Sequence, residues 1–158
     1  YFKNKFSLED SIEEIMNDWN TMAYNYYTND IKLKPGALQY LLKLKELGIK
    51  IGLATSNSMH LLTTTLKSNN AFELFDAITV TDEVEKSKSN PDIYLLAAKK
   101  LGVNPSECMV FEDIIAAVYG AKLAGMKVTG VYDKHSEHQI DILKKECDNY
   151  IYNYEDLI

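Results

Sequence analysis

Hydrophobic and polar positions along the chain first predict two helices. Apolar residues recur at helical spacing between Ile12 and Ala23, which predicts a helix over residues 8–29 with Ser7 as its N-terminal cap. We expect the apolar face of this helix to be buried. Pro35-Gly36 then opens a second helix, and Gly48 is a plausible place for it to end.

From residue 49 onwards, short apolar runs alternate with helical stretches. The run 49–55 is typical of a strand buried on both faces. Further strands are expected at residues 77–80, 109–111, 127–131 and 150–152, and helices at 58–68, 91–101, 114–124 and 137–147. Repeated alternation of strand and helix predicts the α/β class, with a doubly wound parallel sheet flanked by helices.

Composition narrows the classes of function that this fold can carry. The chain has 158 residues, of which 46% are hydrophobic, and these values suit one globular domain with a sizeable core. Its 17 basic and 23 acidic residues give a net charge of −6, which argues against a nucleic-acid partner. No apolar stretch approaches the roughly 18 residues of a membrane span. Two cysteines, Cys108 and Cys147, make no disulfide framework, so we expect a cytoplasmic location.

Polar residues gather where the first predicted strand ends. Ligands of open α/β sheets bind beyond the carboxyl ends of the strands, and Thr55-Ser56-Asn57 follows the first of them. Hydroxyls and free backbone N–H groups at the start of a helix suit a phosphate group. The same residue types also cap ordinary helices, so a plain N-terminal cap is an alternative.

Two adjacent carboxylates and one lysine complete the set of candidate residues. Glu112-Asp113 follows the strand at 109–111, where a bound Mg²⁺ would relieve the repulsion between the two charges. Alternatively, Asp113 only caps the next helix. Lys88 lies in the polar loop before Pro91, from which it could reach both a phosphate and the carboxylates. A lysine that is simply solvated is the alternative at that position.

In their order along the chain, these groups resemble three motifs of the haloacid dehalogenase (HAD) superfamily, particularly its β-phosphoglucomutase-like branch. Residues 49–57 resemble the second motif, in which the residue at Thr55 holds the phosphoryl group. Lys88, followed by Pro91-Asp92, resembles the third motif, whose lysine steadies negative charge. Val110 to Asp113 resembles the fourth motif, whose acids hold Mg²⁺.

The resemblance implies a fold, a reaction and a set of site residues. Residues 33–158 would form a HAD-like, Rossmann-type core, and residues 1–32 the C-terminal part of a helical cap. The implied reaction is Mg²⁺-dependent phosphoryl transfer through an aspartyl-phosphate, either hydrolysis of a small phosphomonoester or a sugar-phosphate mutase reaction. The implied roles are catalysis by Thr55 and Lys88, phosphate binding by Thr55, Ser56, Asn57 and Lys88, and metal binding by Glu112 and Asp113. The implied partner is a small phosphorylated substrate.

Several positions depart from the family pattern. Ser87 and Ser89 stand where the family usually has Gly and Pro, and Ile114 and Ala117 stand where it has Ser and Gly. The largest departure is that no Asp-x-Asp occurs in the chain, although the family's first motif supplies the nucleophile in that form on the central strand. We therefore expect the chain, which begins at Tyr1, to be a C-terminal portion that is inactive by itself.

Two other functions stay open at this stage. A true haloacid dehalogenase would cleave a carbon–halogen bond without a metal, and the adjacent carboxylates Glu112 and Asp113 disfavour it. A non-catalytic, phosphate-binding or regulatory module is favoured by the missing nucleophile and by the changes at Ile114 and Ala117.

Overall fold

The computed structural model describes the backbone of residues 1–158 and every side chain except that of Phe2. The helices are α1 (Phe2–Phe6), α2 (Ile12–Asn29), α3 (Ala37–Glu46), α4 (Met59–Ser68), α5 (Asp92–Leu101), α6 (Ile115–Leu123) and α7 (Ile140–Glu146). The strands are β1 (Gly52–Thr55), β2 (Ala77–Val80), β3 (Met109–Glu112), β4 (Lys127–Val131) and β5 (Asn149–Ile151). The predicted strands are thus confirmed within a few residues. The predicted helix at 137–147 is instead a 3₁₀ segment, Lys134–Gln139, followed by the shorter α7.

The start of α2 differs from the prediction. Ser11, and not Ser7, is its N-terminal cap: the Ser11 hydroxyl accepts a hydrogen bond from the Glu14 N–H (3.1 Å), and the Glu14 carboxylate accepts one from the Ser11 N–H (2.8 Å). This reciprocal pair satisfies two backbone donors that the first turn of a helix leaves free. Ser7 has a left-handed backbone (φ 51°) and ends α1, so the prediction of a cap at Ser7 was wrong.

All strand pairs are parallel, which confirms the α/β class. β1 pairs with β2 from Gly52↔Ala77 to Thr55↔Val80, and β4 lies between β3 and β5. Within the described backbone, β1 and β3 each have one edge that is hydrogen-bonded to no other strand. The sheet is therefore present in two parts.

Helices pack on both faces of the strands, as a doubly wound sheet requires. One buried cluster is formed mainly by α5, α6 and β4, and Ala54 of β1 and Val110 of β3 both pack against it. A second cluster centres on Leu62 and Leu66 of α4, and Leu53 of β1 packs against that one. Successive strand residues point to opposite faces of the sheet, so Leu53 and Ala54 pack against different clusters. The cluster around α5 joins the two parts of the sheet.

The apolar face of α2 is not buried, contrary to the prediction. Ile12, Met16 and Met22 are 68%, 58% and 59% exposed, and no residue of α2 is fully buried. The helix instead packs against α4 with another side, on which the Tyr24 ring stacks on His60 with 5.3 Å between ring centroids. Helical periodicity showed that one face is apolar, but it carried no information about which element covers that face.

Two expectations from composition can be compared with the structure. Cys108 and Cys147 are both free thiols, in agreement with the absence of a disulfide framework. Across the described residues, the helices fall short of the length and apolar character that crossing a bilayer demands.

The side chain of Asn69 forms hydrogen bonds that connect the segment between α2 and α3 to the end of α4. Its amide nitrogen donates to the Ile31 carbonyl (3.0 Å) and to the Thr65 carbonyl (2.8 Å), and its amide oxygen accepts from the Leu33 N–H (3.3 Å). These bonds fix residues 31–33 where the chain enters the core.

We expect Asn69→Ala to lower the free energy of unfolding by about 1–3 kcal/mol, because two backbone groups of the linker lose their partner in a partly buried place. Urea unfolding measures this change, with Asn20→Ala on the exposed side of α2 as the control. Equal stability of the two variants would show that the linker is held by other contacts.

Candidate active site

A buried carboxylate with two partners lies at the carboxyl end of β3. Glu112 is only 7% exposed, and its Oε1 atom forms an ion pair with Lys88 Nζ. The Tyr94 hydroxyl donates a hydrogen bond to the same oxygen at 2.9 Å. The Lys88 ammonium also lies 5.9 Å from the centroid of the Tyr94 ring. An unpaired buried carboxylate would be costly, so these partners compensate for the burial of Glu112.

Three separate elements bring this group together. Lys88 belongs to the loop after β2, Tyr94 to α5, and Glu112 to the end of β3. The Lys88 side chain is 23% exposed and is paired, so the solvated-lysine alternative does not describe it. Burial, and then the charge of Glu112, raises the pKa of Tyr94 well above its usual range. Tyr94 is therefore a neutral hydrogen-bond donor at physiological pH.

Asp113 does not cap the helix that follows it. The N-terminal cap position of α6 is Ile114, whose side chain offers no hydrogen bond, and the Ile115 N–H instead donates to Gln139 Oε1 at 2.9 Å. Asp113 lies near Tyr154, whose pKa is raised mainly by burial and further by the charges of Asp113 and Glu112. The helix-cap alternative for Asp113 is thereby removed.

The two acids have the chemistry that Mg²⁺ prefers. Mg²⁺ is usually held by one or two carboxylates together with water and substrate phosphate oxygens. Asp113 forms no hydrogen bond or ion pair with the rest of the described chain, whereas Glu112 is already engaged by Lys88 and Tyr94. No group of three or more His, Cys, Asp or Glu side chains in the described part could hold a metal ion by itself. The residues thus fit Mg²⁺ with Asp113 as the more available oxygen donor.

The candidate phosphate loop precedes the cap of α4. Thr55 ends β1, and its hydroxyl accepts a hydrogen bond from the Asn57 N–H at 3.1 Å. Ser58 is the cap of α4, where its hydroxyl accepts from the Leu61 N–H at 3.4 Å. Because Ser58 fills this role, the plain-cap alternative does not explain Thr55, Ser56 or Asn57. No hydrogen bond or ion pair within the described residues joins this loop to Lys88 or to the two acids.

A second ion pair lies where β4 ends. Lys34 Nζ pairs with the Asp133 carboxylate and also donates to the Tyr132 carbonyl at 3.0 Å. The hydrogen bond from Lys34, followed by that from the His135 N–H, holds the pKa of Asp133 below its ordinary value. This ion pair connects the segment before α3 to the end of β4.

Because the folded-state pKa of Asp133 is lowered, its contribution to stability is full above about pH 4 and is lost as the pH falls through the lowered value. Asp133→Asn should therefore destabilise the protein at pH 7, and the difference from wild type should shrink towards pH 2–3. Urea midpoints at several pH values measure the effect, with the exposed Asp82→Asn as the control. A difference that is constant with pH would contradict the assignment.

Two contributors to the site were missed in the sequence. Tyr94 stood inside an apolar helical run, and its hydroxyl, which needs a partner when buried, was the signal that could have been used. Gln139 caps α6 from a distant segment, and the residues around Gln139 carry no local signal for that role.

Comparison with known proteins decides the family. The family model described as "haloacid dehalogenase-like hydrolase" matches residues 2–125, which is most of the chain. The chain belongs to the haloacid dehalogenase-like hydrolases. The HAD-like fold and the β-phosphoglucomutase-like resemblance are both confirmed.

Relatives of this HAD-like chain include phosphatases and a mutase. The Bacillus subtilis (strain 168) protein named "Putative phosphatase YhcW" is 47% identical over 103 residues, which cover 65% of this chain and 47% of YhcW. CbbY from Rhodobacter sphaeroides, crystallised with phosphate, has a TM-score of 0.82 at 25% identity, covering 95% of this chain and 67% of CbbY. β-Phosphoglucomutase (pgmB) from Clostridium difficile has a TM-score of 0.72 at 27% identity, covering 92% of this chain and 60% of that one.

The family-level function follows from these relatives. The relatives of this HAD-like chain support the class of phosphoryl-transfer hydrolases at the level of the family. The chain spans less than half of the length of YhcW and about two thirds of CbbY.

Proposed function

We propose that the complete protein catalyses Mg²⁺-dependent phosphoryl transfer, and specifically the hydrolysis of a small phosphomonoester. The observation that carries this proposal is the buried pairing of Lys88 with Glu112 beside the free carboxylate of Asp113. A fixed ammonium next to an available oxygen donor is what a dianionic phosphoryl group and its metal require. The family membership of the chain supports the same reaction class.

Each candidate residue has one proposed task. Lys88 neutralises charge on the transferring phosphoryl group, and Glu112 with Tyr94 keeps the lysine in place. Thr55 binds a phosphoryl oxygen, with Ser56 and Asn57 beside it at the start of α4. Asp113, assisted by Glu112, would hold Mg²⁺, which when bound would stabilise negative charge on the phosphoryl oxygens.

The nucleophile is proposed to come from a further strand. Within the described backbone, β1 and β3 each leave one edge unpaired, although Ala54 and Val110 pack on the same cluster beneath them. Unpaired edges in the interior of a parallel sheet are unfavourable. We propose that a strand between them carries the aspartate that forms the aspartyl-phosphate, that residues 1–32 are the end of a cap, and that this chain alone is inactive.

A sugar-phosphate mutase reaction is the second candidate. The similarity to the mutase structure from Clostridium difficile favours it, because a mutase and a phosphatase share the first transfer to the enzyme. The two reactions differ in whether water or a sugar hydroxyl then takes the phosphoryl group.

We also propose a cytoplasmic location. The free thiols of Cys108 and Cys147 agree with it.

An assay of the complete protein tests the proposal. Phosphate release from p-nitrophenyl phosphate and from a panel of sugar and polyol phosphates is measured with Mg²⁺ and with EDTA. Release that depends on Mg²⁺ is the expected result. Halide release from a 2-haloacid in EDTA would instead assign a dehalogenase, and phosphate binding without any turnover would assign the regulatory module. Conversion of one sugar phosphate into its isomer would assign the mutase.

A further inference from the structure

The loop that carries Lys88 rests directly on the backbone of α6. The contact point is Gly120, which is buried in the middle of that helix. A methyl group at Gly120 would overlap the carbonyl oxygen of Lys88, and it would lie 2.9 Å from the Asn90 carbonyl oxygen and 3.0 Å from Tyr94 Cε2. Carbon atoms of real side chains do not approach backbone oxygens so closely. The close approach therefore depends on the absence of a side chain at this position.

This contact involves both residues that bind Glu112, namely Lys88 and Tyr94. The Lys88 carbonyl and the Tyr94 ring both lie against Gly120, while their polar ends reach the same carboxylate oxygen. Glu112 is itself joined to α6 through the short segment 113–114. A shift of the loop away from α6 would thus move the lysine relative to the acid at the end of β3.

Apart from the contacts of the Lys88 side chain with Glu112 and Tyr94, the hydrogen bonds of residues 87–90 lie within the loop itself. The Asn90 N–H donates to the Ser87 carbonyl at 2.9 Å, which makes residues 87–90 a tight turn, and the Ser87 and Ser89 hydroxyls are 2.9 Å apart. These bonds are internal to the turn and do not attach it to the core. Ser87 and Ser89 are exposed, so the side of the turn that faces α6 is the one that determines where Lys88 lies.

We propose that Gly120 is a positioning residue for phosphoryl transfer: its missing side chain lets the turn 87–90 lie on α6, and this sets the place of the Lys88 ammonium. The inference rests on the proposed function, in which Lys88 neutralises phosphoryl charge. Gly120 acts only through Lys88 and touches no substrate. This role would explain why α6 has a glycine at position 120, one turn after Ala117.

The test compares the complete wild-type protein with Gly120→Ala, using p-nitrophenyl phosphate and Mg²⁺. We expect kcat to fall roughly 10- to 100-fold, since a misplacement of about 1 Å can cost about 100-fold in rate. Gly48→Ala is the matched control, because Gly48 has a positive φ of 71° but no atom within 4 Å of an added methyl group. It should lose stability through backbone strain and keep its kcat.

A double-mutant cycle separates positioning from general damage. If Gly120 acts through Lys88, adding Gly120→Ala to Lys88→Ala should lower kcat by less than about twofold beyond Lys88→Ala alone. Losses that multiply, or an unchanged kcat in Gly120→Ala, would overturn the proposal. So would an equal loss of kcat in Gly48→Ala.

Two further measurements keep the test decisive. A crystal structure of Gly120→Ala should show Lys88 Nζ and the Glu112 carboxylate separated by more than the 4 Å of an ion pair, and an unchanged pair would refute the positioning role even if the wild type proved inactive. An inactive wild type would refute the proposed function alone. If Gly120→Ala does not fold, Ser89→Gly still tests the proposal: it removes the side-chain bonds on the exposed side of the turn and leaves the contact with Gly120, so kcat should stay within about twofold of wild type. A much larger fall of kcat in Ser89→Gly would show that the bonds within the turn, and not the contact with α6, set the place of Lys88.

Discussion

Lys88→Met in the complete protein is expected to lower Mg²⁺-dependent turnover of p-nitrophenyl phosphate by about 100-fold or more. Methionine keeps the length of the side chain and its apolar contacts but removes the ammonium group. The phosphoryl group would then lose the fixed positive charge that the ion pair with Glu112 holds in place. Steady-state kcat is the measurement, and Lys86→Met in the same loop, where the side chain is exposed, is the control.

The same substitution should also cost stability. Glu112 is 7% exposed and would keep only the Tyr94 hydrogen bond, and breaking a buried ion pair on one side costs roughly 3 kcal/mol. Adding Glu112→Gln to Lys88→Met removes the unpaired charge, so we expect stability to recover while activity stays lost. Urea unfolding of both variants tests this. Near-normal activity of Lys88→Met would refute the catalytic role of Lys88.

Asp113→Asn should abolish the response of the rate to Mg²⁺ and lower turnover by about 100-fold or more. The amide has the same shape as the carboxylate but lacks the charge that a Mg²⁺ ligand supplies. Asp113 forms no hydrogen bond or ion pair with other described residues, so the substitution should leave the melting temperature nearly unchanged. A large loss of rate without a loss of stability would separate this role from a structural one.

The measurement for Asp113→Asn is a Mg²⁺ titration of the rate over several orders of magnitude of concentration. Asp82→Asn, at an exposed position after β2, is the control and should keep the wild-type response. A variant at Asp113 that is saturated by Mg²⁺ at the wild-type concentration would place the metal elsewhere.

The sequence predicted those features that depend on local patterns. The strands were found because apolar runs such as 127–131 are short and bounded by glycine and polar residues, and the observed β4 has the same limits. The order of motifs was sufficient to place Thr55, Lys88 and Glu112 at strand ends or the loops after them. Their family was confirmed, but their roles stay proposals.

What the sequence could not predict depends on contacts between distant segments. The cap of α2 is a different case: Ser7 and Ser11 are both good caps by residue type, but the Glu three positions after Ser11 is a local signal that distinguishes them, so the sequence did carry the correct start of this helix. The exposed face of α2 has the periodicity of a buried one. In the sequence, Gly120 is only a residue of low helix propensity. The structure shows that the turn that carries Lys88 lies on it.

The contact between the segment before α3 and residue 154 has a consequence for how the core assembles. The Tyr154 N–H donates to the Pro35 carbonyl at 3.0 Å, and the absence of a side chain at Gly36 lets the backbone at Glu155 lie against the start of α3. The entrance of α3 can therefore reach its final packing only when β5 and the turn after it have been synthesised. During translation, α3 can reach this packing only after most of the chain has been made, and contacts of such long sequence separation slow folding. A growing chain that stops short of Tyr154 would leave the aromatic rings of Tyr40 and Phe111 without their third partner.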